Sequence, residues 1–113
     1  YAGSYKDSMQ QIIDAVVAEG KQIYLAQIPP VPGAPVEQET KVLAFNRVID
    51  ELLLSPANVA TGLVFSGPDF YTHFTSFPAE MCTPPVGGRC FHPVGSGYVS
   101  MGRLWSEALN GNL

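Results

Sequence analysis

No cluster of basic residues occurs anywhere in this chain: six lysines and arginines are scattered among ten acidic residues, for a net charge of −4. That balance argues against a nucleic-acid binder and against a protein that docks on anionic membrane surfaces. Long apolar runs are missing too. Ala44-Phe45 and Leu52-Leu53-Leu54 fall far short of the roughly 20 residues of a membrane span. There is no internal repeat, and Pro29-Pro30-Val31-Pro32-Gly33-Ala34-Pro35 is the one compositionally biased stretch. No signal peptide is recognisable and residue 1 is tyrosine, so the sequence reads as a processed, trimmed or truncated product.

Cysteine is nearly absent. Cys82 and Cys90 flank the short segment Thr83-Pro84-Pro85-Val86-Gly87-Gly88-Arg89, and the only histidine nearby is His92. This spacing does not match a zinc pair, so no metal site is expected. A disulfide between the two would close a small ring and contribute roughly 2.5 kcal/mol in the chain-entropy model. It would also place the protein in a secreted or periplasmic setting. Two free thiols in a cytosolic loop is the other reading.

What is present is apolar: 46% of residues are hydrophobic and 14% charged. A chain of 113 residues with that composition forms a single globular domain, 1–113, burying roughly two thirds of its unfolded surface. Ser4, with Asp7 three residues on, reads as a helix start. Met9, Ile12, Ile13, Val16 and Val17 then share one helical face, and Gly20 ends the helix. The run from Lys21 to Ile28 suits a strand buried on both faces of a parallel sheet. The proline-rich loop follows, read either as a substrate-contacting loop or as a stiff connection. A second helix covers Glu37 to Leu54, with Val42, Phe45, Ile49, Leu52 and Leu53 inward, and Ser55-Pro56 stops it. Thr61 to Phe65 reads as a second strand, Ser66-Gly67-Pro68 as a turn, and Asp69 to Phe74 as a brief helical turn. A last helix buries Tyr98, Met101, Trp105, Ala108 and Leu109. In that reading Trp105 and Met101 are core residues and His73 is a half-exposed helix residue.

The order helix, strand, helix, strand, helix is half of a doubly wound domain. The expected fold is therefore α/β: a partial three-layer α/β/α arrangement with two parallel strands and three helices. Two parallel strands do not make a stable sheet alone, so completion by oligomerisation or by a missing half is expected.

Phe91-His92-Pro93-Val94-Gly95-Ser96-Gly97-Tyr98 is the most specific stretch. A histidine stands directly before a Pro/Gly-rich turn that opens an amphipathic helix. This block resembles the last conserved block of the SGNH (GDSL-type) esterases and lipases. Tyr5 to Ile13, Ile23-Tyr24-Leu25-Ala26 with Pro29-Pro30, Phe45 to Asp50, and Gly67-Pro68-Asp69-Phe70-Tyr71 are similar, in order, to the C-terminal half of that family. The resemblance implies a flavodoxin-like fold and a carboxylic ester hydrolase acting on short acyl esters through a serine acyl-enzyme, without metal or organic cofactor. It makes His92 the general base.

Other family residues have no counterpart. The aspartate usually found three residues before the histidine is Arg89 here, and a cation there would resist imidazolium formation. No Gly-Asp-Ser and no Gly-x-Asn-Asp occurs; these blocks and the oxyanion glycine would lie N-terminal to Tyr1. Ser66, before Gly67-Pro68, and Ser96, within Gly95-Ser96-Gly97, are the candidate nucleophiles. Ser4 and Ser8 read as cap and helix surface. Asp69 and Glu80 are the carboxylates placed to replace the lost aspartate, although Asp69 also reads as a helix cap. The alternative function is a catalytically inactive, hydrolase-derived module that self-associates or binds a partner.

Overall fold

A computed structural model of the chain describes residues 2–81 and 90–111. The described elements are α1 (Ala2–Ala18), β1 (Ile23–Gln27), α2 (Val36–Leu54), α3 (Pro56–Ala60), β2 (Val64–Asp69), α4 (Phe70–Ser76), a 3₁₀ turn (Pro78–Glu80) and α5 (Gly95–Asn110). The protein is a mixed α/β domain. Its five described helices surround a two-stranded sheet in which β1 and β2 run parallel.

Strand alternation sends successive side chains to opposite faces, and each face has its own core. Leu25 joins Ile13, Val48, Ile49 and Leu52 on the side covered by α1 and α2. Ala26 packs toward Phe70, Phe74 and Met81, where Met101, Leu104 and Trp105 of α5 close the other side. Tyr5 stacks on Phe45 with ring centroids 4.4 Å apart, joining α1 to α2. Trp105 meets Phe70 edge-on at 6.2 Å, joining α5 to α4.

Several sequence expectations shift. α1 begins at Ala2, so Ser4 lies inside the helix and does not cap it; Ala2 and Tyr5 both pack on the first core, which carries the helix back past Ser4. Ile12 is 51% exposed, because α1 turns Met9, Ile13 and Val17 inward together with Ala2 and Tyr5. At the other end Gly20 has φ +69°, and the bonds Gly20 N–H to Val17 O and Lys21 N–H to Val16 O form a Schellman stop. Five helices replace the expected three, since Pro56 restarts the chain as α3 and Asp69 caps a full α4.

The second strand runs through the expected turn. Ser66, Gly67 and Pro68 belong to β2, where the register slips between Leu25 and Gln27. The strand survives because Gly67 lets the backbones close up: a β-carbon there would lie 3.0 Å from Ala26 N. In α5 the inward face is rotated from expectation. Gly97 is buried and Leu104 packs inside, while Tyr98 is 56% exposed and Leu109 lies at the surface.

Two buried asparagines tie the first core together. Asn58 exchanges hydrogen bonds with Gln10 (2.8 and 3.0 Å) and donates to Leu52 O, clipping α3 to α1. Asn46 accepts from Ile28 N–H at 2.7 Å and donates to Ile28 O at 3.0 Å. Its amide thus pairs with the main chain just past β1 as a neighbouring strand would, and fixes where the Pro29–Pro35 loop departs. Asn46→Ala leaves both Ile28 groups without this partner and is expected to cost about 2 kcal/mol. Urea unfolding measures this; a loss below about 0.5 kcal/mol would show that water replaces the clamp without penalty.

Candidate functional site

In parallel α/β sheets the loops beyond the strand C-termini gather the working residues. Here the Ile28–Pro35 loop follows β1 and α4 follows β2. Tyr71 of α4 donates a hydrogen bond to Glu39 in the first turn of α2, which bridges the two connections. That carboxylate, with partial burial, pushes the Tyr71 phenol above its ordinary value.

The segment carrying His92 is pinned to this end of the sheet at two points. Cys90 N–H donates to Pro32 O at 3.0 Å, and Val94 N–H donates to Glu80 O at 2.8 Å. His92 sits midway between these anchors and is exposed. Among the described residues no side chain hydrogen-bonds its ring. The backbone is held while the imidazole faces outward. The anchor at Cys90 is buried, whereas Cys82 and Arg89 lie outside the described residues, and with them the expected disulfide and the cation in the aspartate position.

The candidate partners of His92 are engaged elsewhere. Asp69 caps α4, accepting from Thr72 N–H at 3.0 Å and from Thr72 Oγ1 at 2.7 Å. Glu80 Oε1 lies 3.1 Å from His73 Nε2 and accepts a short hydrogen bond from Ser100 Oγ. Ser66 Oγ donates to Gly67 O at 3.2 Å and faces solvent inside β2. Ser96 is exposed in the first turn of α5. All eight serines fall within the described residues, and none of them hydrogen-bonds an imidazole there.

Ser100, Glu80 and His73 carry the residue types of a hydrolytic triad in the wrong order. A nucleophile needs the imidazole between hydroxyl and carboxylate. Here the carboxylate is central, and both neighbours bind the same oxygen. The hydrogen bond from Ser100, then that from His73, holds the Glu80 carboxyl below its ordinary value of 4.5, which makes it a weak base. Because the folded value is the lower one, the stabilisation from Glu80 is complete above about pH 4.5. It is lost as pH falls through the depressed value.

Sequence reasoning missed Ser100, Asn46 and the Tyr71–Glu39 pair. All three depend on contacts between residues distant in sequence, for which no local pattern stands. Among the described residues no group of three or more His, Cys, Asp or Glu is placed to hold a metal ion, and no helix is long and apolar enough to cross a membrane. Compared with protein-family models, curated proteins and solved structures, the chain matches none of them.

Proposed function

We propose that this chain carries the general base of an SGNH-type carboxylic ester hydrolase acting on short acyl esters, secreted or periplasmic, and built on a partial flavodoxin-like α/β/α fold. The observation that supports it is the doubly anchored His92 segment, which presents an unengaged imidazole at the strand C-termini. In this reading His92 takes the proton from a serine hydroxyl as it attacks the ester carbonyl, then returns it to the leaving alcohol. The serine comes from a missing half or from a second copy of the chain, since no serine is hydrogen-bonded to His92 among the described residues of one copy. In a second copy Ser66 and Ser96 are the candidates; both are exposed, as His92 is.

The base works without a paired carboxylate, because Asp69 and Glu80 are committed to α4 and to His73 with Ser100. Disabling that partner costs on the order of 10⁴ in kcat in Ser-His-Asp enzymes. Turnover is therefore slow, and a stoichiometric label is the better assay. A fluorophosphonate, which labels activated serines, is expected to add one adduct per chain at concentrations where the chain self-associates. The adduct should map to Ser66 or Ser96, fade on dilution to monomer, and vanish in His92→Ala.

The second reading is the inactive hydrolase-derived module that self-associates or binds a partner. The carboxylate-centred Ser100–Glu80–His73 cluster favours it. A folded, self-associated chain that takes up no fluorophosphonate would favour this reading over a serine supplied by a second copy.

A further inference from the structure

Glu80 holds both the His92 segment and the helix that follows it. Its main-chain carbonyl receives Val94 N–H at 2.8 Å, two residues beyond His92, and its side chain receives the Ser100 hydroxyl from α5. The same carboxylate oxygen lies 3.1 Å from His73 Nε2, so the attachment runs through to α4. His73 itself contacts Phe74 and Phe77, each with its ring centroid 5.0 Å away. The first turn of α5 also passes so close to the Glu80 carbonyl that Gly97 has no room for a β-carbon. One residue of a three-residue turn therefore carries the backbone bond, the side-chain bond and the closest approach of the helix that follows His92.

We propose that Glu80 is a positioning residue: its ionised carboxylate gathers Ser100 and His73, and so fixes the start of α5 and the His92 segment bonded to it. The purpose assigned here rests on His92 being the base, but the geometry and its test do not. An ionised carboxylate accepts from both neighbours, whereas a protonated one loses the charge that strengthens both bonds. The titratable and charged groups facing it are His73 from α4 and Arg103 from α5, the latter also paired with Glu107 at 3.0 Å. The bonds from Ser100 and His73 hold the carboxyl below its ordinary value, so the positioning persists through the usual carboxylate range and fails below it.

The test is amide hydrogen exchange across a pH series. Val94 N–H reports the bond to Glu80, and Tyr98 N–H, bonded to Val94 O at 3.0 Å, reports the first turn of α5. Ile13 and Ile49, in the core under α1 and α2, serve as references. In the wild type, protection of Val94 and Tyr98 should fall about tenfold relative to the references in one acid step below the usual carboxylate range. In Glu80→Gln, which keeps the carbonyl and a neutral acceptor, protection should already be about tenfold lower at neutral pH, with no acid step. An acid step that survives in Glu80→Gln, or protection that the substitution leaves unchanged, would overturn the assignment. Should Ile13 and Ile49 also lose protection in that variant, Ser100→Ala decides the matter, since it removes a single bond. A selective loss at Val94 and Tyr98 then supports the proposal, and no loss rejects it. Exchange is read without any label or substrate, so failure here and failure of the hydrolase reading are separate results.

Discussion

Replacing Gly97 with alanine should destabilise the protein by about 3 kcal/mol and lower its Tm by roughly 10 °C. A β-carbon at this position would lie 2.3 Å from the Glu80 carbonyl oxygen and 2.8 Å from Pro93 Cβ. Neither obstacle is the end of a flexible side chain. One is backbone already engaged by Val94 N–H, and the other is part of a rigid ring. The first turn of α5 must therefore lift from the 3₁₀ turn, loosening the bond that anchors the His92 segment. Ordinary helix propensity points the other way, since alanine outranks glycine by about 1 kcal/mol in a helix. Gly102 supplies the control. It lies in the same helix, and a β-carbon added there would meet nothing within 4 Å, so Gly102→Ala should stabilise by up to about 1 kcal/mol. Thermal unfolding of the two variants separates a packing requirement at Gly97 from a general effect of glycine in α5. Equal and favourable shifts would rule the packing requirement out.

Phe74→Ala should be more damaging still, at about 4 kcal/mol. Phe74 is 0% exposed and is one of three buried residues in the core between the sheet, α4 and α5. Its ring lies 6.2 Å from Phe70 and meets His73 edge-on. With so few buried residues in that core, nothing large stands ready to fill the space. Domains of this size have only about 5–15 kcal/mol in total, so the loss takes a large share of it. Phe74→Leu keeps most of the volume and should cost about 1.5 kcal/mol or less. Urea unfolding of both variants reads the difference. A cost near 1 kcal/mol for Phe74→Ala would mean that α4 collapses onto the cavity, and that this second core is looser than its burial indicates.

Long periodic segments are the legible part of the fold. α2 runs from Val36 to Leu54 and α5 from Gly95 to Asn110, close to where the apolar spacing puts them, because many residues vote for the same period. The Gly20 stop is legible too, since a positive φ at a helix end is what glycine supplies without strain. Ser66-Gly67-Pro68 misleads, and the cause is tertiary. These residues are turn formers in isolation, yet pairing with β1 draws them into a strand with an irregular register. Ser4 misleads in the same way, with a capping signal overridden by Ala2 and Tyr5 packing on the core.

For the site, local spacing indicates that His92 precedes a helix and that Asp69 caps one. It carries no information that Glu80 meets Ser100 across 20 residues, or that Asn46 meets Ile28 across 18. Such pairs are made by the fold as a whole. Gly97 is instructive because its role is readable only once the fold is known. The glycine that resembles a family turn residue is, in this protein, the point where α5 passes the Glu80 carbonyl.

The proposal that His92 acts on a serine of a second copy is tested most directly by complementation. Chains carrying His92→Ala, with every serine intact, are mixed with chains carrying Ser66→Ala and Ser96→Ala, with His92 intact, and treated with a fluorophosphonate. Intact mass distinguishes the two chains. Neither variant alone should take up the label, whereas in the mixture an adduct should appear on the His92→Ala chains only. A folded, associated mixture with no adduct on those chains would contradict the account of His92 as a base acting between copies.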